Sequence, residues 1–126
     1  MEQEQNTLLL KDISARLPYN PMVEYKGEIY NVLGITVGRL VLCKPFMSCA
    51  LNEYPLVEEV KLYLYPLSSM TEEQKREYHE LIVGMFGTSV LINFEVLTDF
   101  FNKNHLDYRG LIPMGLALDV TRLNIY

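Results

Sequence analysis

Two glycine-containing turns near the start of the chain constrain the fold more than any other feature of the sequence. Segments 22–26 and 28–33 flank Lys26-Gly27, and a second turn near Val37-Gly38 leads into residues 39–43. Glycine readily adopts the positive φ that tight hairpin turns require. These segments are therefore predicted to form a three-stranded antiparallel meander.

A fourth strand is predicted over residues 60–65, where side chains alternate with the period of a half-buried strand. One face carries Val60, Leu62 and Leu64, and the other carries Lys61, Tyr63 and Tyr65. Pro66 follows and closes the strand, because proline cannot donate to a sheet ladder.

The clearest helix start lies at Thr71, which is a good N-cap residue with two acidic residues in the first turn and Gln74 as capping-box partner. Its buried side is predicted to consist of Tyr78, Leu81, Ile82, Met85 and Phe86. Gly87 is predicted to end this helix in a left-handed conformation.

Two further helices are predicted from their capping residues. Thr7 is a candidate N-cap for a short helix over residues 8–17 that ends at Pro18. Asn93 is a candidate N-cap for a helix over residues 94–104. The short apolar run at 116–120 follows, without a predicted partner.

The fold class that follows is α+β: a small antiparallel sheet of about four strands, packed with two main helices and a short N-terminal helix. The chain has 126 residues and no linker or repeat, so a single domain over residues 1–126 is predicted.

Charge and hydropathy exclude several classes of partner. The net charge is -5, and the basic residues are scattered between Lys11 and Arg122, so duplex DNA is not an expected partner. The longest apolar stretch, 81–92, is interrupted by Gly84 and Gly87 and is too short for a membrane span. The amino terminus lacks a secretory pattern, so a cytoplasmic location and reduced thiols at Cys43 and Cys49 are expected.

Three segments resemble small uncharacterised proteins of gut bacteria and their phages or prophages. They are residues 65–73 (YPLSSMTEE), 101–112 (FNKNHLDYRGLI) and 115–118 (GLAL), and they span about the carboxy-terminal half of the chain. The resemblance implies a phage or prophage context. That group has no established activity, so the resemblance assigns no role to any residue.

His105, Asp107 and Arg109 form the main candidate polar cluster. His105 and Asp107 could supply two metal ligands or an oriented general base, and Arg109 could bind phosphate or carboxylate. A third metal ligand is missing nearby. The favoured alternative is structural: His105 ends a helix as a partly charged imidazole, Asp107 caps the next turn, and Arg109 satisfies carbonyls at the helix end.

Other motifs favour structural roles. His79 has no possible ligand three or four residues away, and Glu73, Glu77 and Glu80 are predicted to form a solvated helix face, with Glu72 pairing with Arg76. Phosphate-binding loops, dinucleotide fingerprints and nucleophile elbows are absent from the sequence. We therefore expect no cofactor and no catalytic residue.

The face formed by Lys61, Tyr63 and Tyr65 is the remaining candidate surface. Tyrosine is frequent in protein interfaces and also stacks on single-stranded bases, although the same face could pack beneath a helix. The leading hypothesis is a non-enzymatic accessory protein that binds another protein or itself. A weak single-strand nucleic-acid binder and an enzyme assembled from distant residues are the alternatives.

Overall fold

Eight helices and strands organise the residues that the computed structural model describes, which are 2–45, 52–88 and 94–126. In chain order they are α1 (Glu2–Arg16), β1 (Met22–Tyr25), β2 (Glu28–Thr36), β3 (Arg39–Cys43), β4 (Val60–Leu64), α2 (Glu72–Thr88), α3 (Phe94–Lys103) and β5 (Ala117–Asp119). Short 3-10 turns at Leu17–Tyr19, Val57–Glu59 and Leu67–Ser69 connect them.

The five strands form one sheet with the order β3-β2-β1-β4-β5. The predicted meander is confirmed, and β1 also pairs antiparallel with β4. The α+β class is confirmed, but the sheet has five strands rather than about four. It is mixed rather than antiparallel, because β5 pairs parallel with β4. The run at 116–120 contains this strand, whose three residues carry no alternation that sequence could reveal.

One face of the sheet packs against α1 and forms the core. We call it the helix face, and the opposite side the second face. The buried core residues are Leu9, Ile13, Val23, Tyr25, Tyr30, Val32, Leu40, Leu42, Val60, Leu62, Leu64, Leu111 and Ala117. The predicted apolar face of β4 therefore lies in the core.

Helix α1 begins at Glu2, so the prediction that Thr7 caps a helix over 8–17 is wrong. The Thr7 hydroxyl donates to the carbonyl of Gln3 at 2.9 Å, one turn earlier in the same helix. Threonine satisfies its hydroxyl in this way inside helices, so its presence does not by itself mark a helix start.

Helix α2 is capped at Thr71 as predicted. The amide of Gln74 donates to the Thr71 hydroxyl at 3.1 Å, and the amide of Thr71 donates to the Gln74 side chain at 2.9 Å. The helix continues through Thr88, so the predicted stop at Gly87 is wrong; an interior glycine costs only about 1 kcal/mol relative to alanine. The proposed cap Asn93 lies outside the described residues, and α3 ends at Lys103.

Both hairpin turns have two consecutive residues with positive φ, as type I′ turns require. Lys26 and Gly27 have φ of 52° and 77°, and Val37 and Gly38 have φ of 46° and 76°. A β-branched residue in this region is strained, because its Cβ approaches the following carbonyl. Val37 is also 98% exposed, so no packing in the described structure offsets the strain.

Replacing Val37 by asparagine, which tolerates this conformation, is therefore expected to stabilise the protein by about 1 kcal/mol. Urea unfolding monitored by circular dichroism measures the change. Thr36→Asn at the neighbouring exposed strand position is the control and should not stabilise the protein. A Val37→Asn variant no more stable than the natural chain would show that the turn is not strained.

Candidate functional site

Asp107 acts as a cap, as the structural interpretation predicted. It is 6% exposed, and its carboxylate accepts the amide of Leu111 at 2.8 Å and that of Ile112 at 2.9 Å. The capped turn lies at residues 111–115 rather than 108–111. Both oxygens accept backbone amides, which is the capping role.

Arg109 pairs with a residue that the sequence did not suggest. Its Nε donates to Oδ1 of Asp12 in α1 at 3.0 Å, and its Nη2 donates to the Tyr108 hydroxyl at 3.1 Å. The predicted role at helix-end carbonyls is therefore replaced by an ion pair between distant parts of the chain. Arg109 is not free to bind a phosphate in this arrangement.

Asp12 and Arg16 complete what we call the buried ion cluster, together with Arg109. Arg16 Nε donates to Oδ2 of Asp12 at 2.8 Å, and Arg16 Nη2 donates to the carbonyl of Leu106 at 2.7 Å. Both side chains of this i,i+4 pair are 0% exposed. They lie on the same helical stripe as Leu9 and Ile13, and two charges in an apolar stripe are the sequence feature that could have revealed them.

His105 was predicted to be a partly charged imidazole at a helix end, but its ring is largely buried and neutral. Its ring stacks on Tyr126, with centroids 3.5 Å apart and planes 9° apart. Burial and, secondarily, the charge of Arg16 lower the pKa of His105 to about 4. The imidazole is therefore neutral at pH 7 and does not stabilise a helix end as a cation. The residue has a φ of 56°, which turns the chain after α3.

His105, Asp107 and Arg109 thus engage three different partners: a tyrosine ring, two backbone amides and a carboxylate. Each of the three side chains is therefore engaged within the chain.

An open cavity of about 720 Å³ lies over the second face of the sheet. Met22 is opposite Asn31 in the β1–β2 register, and Ile29 is two residues away on the same face. The full lining is Tyr19, Asn20, Met22, Ile29, Asn31, Pro45, His105, Asn124, Ile125 and Tyr126. Because His105 is neutral, none of these lining side chains carries a charge at pH 7.

Tyr126 closes one side of this cavity and is held by the sheet. Its hydroxyl accepts the amide of Met22 at 2.9 Å and donates to the carbonyl of Tyr63 at 2.8 Å. These bonds join β1 and β4 just past their last paired residues. Burial raises the pKa of Tyr126 far above that of a free phenol, so the hydroxyl stays protonated as a donor.

The predicted face of Lys61, Tyr63 and Tyr65 is not an exposed aromatic row. Tyr63 is 5% exposed, Tyr65 is half-buried beside Tyr126, and Lys61 is exposed. Burial is also the main cause that raises the pKa of Tyr63. Tyr63 is therefore not exposed as a platform on which a base could stack.

Large apolar side chains are exposed on the second face of the sheet, on β2 and on the segment 53–56 that pairs with β3. We call this set the β2–β3 surface: Ile29 (40% exposed), Leu33 (48%), Tyr54 (51%) and Leu56 (37%). Leu56 lies opposite Arg39 of β3, and Tyr54 is two residues away on the same side of the extended segment. Sequence reasoning missed this surface because residues 45–55 show no regular period.

His79 and most of the acidic side chains of α2 are exposed, as expected for a solvated helix face. His79, Glu73 and Glu80 are exposed, while Glu77 bonds Lys103 of α3 at 2.9 Å. Glu72 pairs with Lys75 rather than with Arg76. The described part of the chain holds no group of three or more His, Cys, Asp or Glu side chains suited to a metal ion.

None of the helices in the described ranges is long and apolar enough to cross a membrane. Cys43 is buried, and Cys49 lies outside the described residues. No protein-family model, curated protein or solved structure matches the chain.

Proposed function

We propose that this protein is a non-catalytic interaction module that binds another protein through the β2–β3 surface. The observation that supports the proposal is the exposure of four large apolar or aromatic side chains, Ile29, Leu33, Tyr54 and Leu56, on the second face of the sheet. Contiguous exposed apolar area is unusual on monomeric proteins and is typical of binding sites. Aromatic residues such as tyrosine are also enriched in interfaces.

The mode of binding follows from the hydrogen bonds of the neighbouring edge strand. The amide of Leu42 donates to Glu53 at 2.9 Å, that of Glu53 donates to Leu42 at 3.0 Å, and that of Leu40 donates to Pro55 at 3.0 Å. This edge of β3 is therefore already paired within the chain. A partner would bind by packing side chains on the surface rather than by adding a strand.

The charged interior supports a non-catalytic role. The carboxylate of Asp12 is held between Arg16 and Arg109, and that of Asp107 is held by two backbone amides. General acid–base catalysis needs a titratable group within reach of a substrate. These groups are engaged in stabilising the fold.

The partner that we propose is a different protein with a complementary apolar patch. The chain carries a net charge of -5, and two copies of an acidic chain repel each other as they approach. This repulsion favours a heteromeric complex over self-association.

The test is affinity capture with the tagged full chain from its host cells, followed by titration of the purified partner. Leu33→Glu and Leu56→Glu should each weaken binding by about tenfold or more, because each places a charge in an apolar contact. Met114→Glu is the matched control, since Met114 is 48% exposed but lies in the turn at 111–115. Circular dichroism melting confirms that all variants fold.

Two outcomes would contradict the proposal. One is a partner that binds both glutamate variants as tightly as it binds the natural chain. The other is sedimentation of the natural chain as a dimer that Leu56→Glu dissociates, which would replace the heteromer by a self-complex.

A further inference from the structure

The size of the cavity on the second face suits a small molecule. Its volume of about 720 Å³ falls within the range of roughly 300–1,000 Å³ that small-molecule sites occupy. It is distinct from the rest of the β2–β3 surface, with which it shares Ile29. A small molecule could therefore bind in the cavity whether or not a protein binds the β2–β3 surface.

Neutral polar groups dominate the hydrogen-bonding capacity of the lining. Asn20, Asn31 and Asn124 each present an amide, which has two donor hydrogens and one acceptor oxygen. Paired donors and acceptors of this kind match the edges of planar nitrogen heterocycles. Tyr19 and the stacked pair of His105 and Tyr126 add aromatic rings to the lining.

Two polar atoms in the cavity wall have no hydrogen-bond partner among the described residues: Asn31 Oδ1 and His105 Nδ1, both shielded within the wall. An unpaired buried acceptor such as Asn31 Oδ1 destabilises a structure unless something satisfies it. A ligand that carries N–H donors could satisfy Asn31 after a small rotation of its amide. The lining therefore favours donors on the ligand.

The absence of charged side chains from the described lining restricts the charge of a ligand that could bind there. No lysine or arginine lines the cavity, so a phosphate group would be buried without a cation. A cationic ligand is also disfavoured beside His105, since burial and, secondarily, the charge of Arg16 already oppose a positive charge at that ring and lower its pKa. The site is thus suited to an uncharged molecule.

From these features we infer that the cavity binds an uncharged planar heterocycle with N–H donors, the chemical class of nucleobases and nucleosides. The base edge would bond the asparagine amides, with Asn31 Oδ1 accepting an N–H. The ring would lie against the aromatic wall.

Isothermal titration of the full chain with adenosine, guanosine, cytidine and uridine tests the inference. At least one nucleoside should bind with a Kd of about 1 mM or below. Its 5′-monophosphate should bind at least about tenfold more weakly, because the added charge has no partner. N-methylation of the base, as in 3-methyluridine against uridine, should have a similar effect by removing the donor.

Variants of the chain complete the test. Asn31→Leu and Asn124→Ala should each weaken nucleoside binding by about tenfold, and Asn124 is exposed, so its replacement does not endanger folding. Leu56→Glu, which lies outside the cavity, should leave nucleoside binding unchanged. The inference is overturned if no nucleoside binds, if the monophosphate binds as well as the nucleoside, or if both asparagine variants bind normally.

Discussion

Replacing Asp12 by alanine is expected to lower the free energy of unfolding by about 3–5 kcal/mol, the usual cost of removing one partner from a buried ion pair. Asp12 is the carboxylate that Arg16 and Arg109 share. Its loss leaves the Arg16 guanidinium, which is 0% exposed, without a counterion. Arg109 is 21% exposed and can turn toward water, so Arg16 accounts for most of the effect.

Urea unfolding at pH 7 measures this change. Glu4→Ala is the matched control, because Glu4 is an exposed carboxylate in the same helix and its removal should cost well under 1 kcal/mol. A second comparison uses Asp12→Leu with Arg16→Met, which should recover part of the loss because no unpaired charge remains on Arg16. A loss below about 1 kcal/mol for Asp12→Ala would show that water reaches Arg16 and that the cluster is not desolvated.

The second large effect is expected for Asp107→Ala, which should destabilise the protein by about 2–4 kcal/mol. It removes two charge-assisted bonds and leaves the amides of Leu111 and Ile112 unpaired. Asp107→Asn should cost less, because its amide oxygen can still accept one bond. The turn at 111–115 leads directly into β5, so loss of this cap should also loosen the parallel strand pair.

Hydrogen exchange on the backbone amides locates this effect, and urea unfolding gives its size. Asp119→Ala is the matched control, since Asp119 also accepts a backbone amide, that of Thr121 at 2.8 Å, but is exposed. Water can replace an exposed cap, so the control should cost no more than about 1 kcal/mol. Equal losses for the two variants, or unchanged exchange at Leu111, would contradict a special role for Asp107.

Both predictions give the buried carboxylates of Asp12 and Asp107 the role of stabilising the fold. The proposed binding surface and the inferred ligand site use other groups, namely the exposed apolar side chains of the β2–β3 surface and the neutral lining of the cavity. Both lie on the side of the sheet that α1 does not cover. The helix face of the sheet specifies the fold, and the second face presents the candidate binding surfaces.

Some of this structure was predictable because it depends on neighbours along the chain. The turn at Lys26-Gly27 and the capping box of Thr71 and Gln74 involve atoms at most three residues apart. The alternation in β4 likewise placed Leu62 in the core. Predictions from neighbouring residues were wrong where a residue type has two common roles. Thr7 was predicted to cap a helix and Gly87 to end one, but both lie inside helices.

The candidate sites were predictable only in part. Asp107 was identified as a cap because caps are local, and the resemblance of residues 101–112 to phage-associated proteins added no role. The stacking of His105 on Tyr126, its lowered pKa and the burial of Tyr63 depend on chain segments that meet only after folding. No spacing pattern in the sequence indicates them.

The sequence by itself determined the hairpins, the start of α2, the apolar side of β4 and the α+β class, because hydrogen bonds and side-chain periods within a few residues control these features. Tertiary structure decided the parallel pairing of β5, the union of Asp12 with Arg109 across 97 residues, and the cavity bounded by Tyr126. The physical reason is that burial and desolvation depend on which distant segments pack together. Those two effects govern the charge of His105 and the exposure of the β2–β3 surface.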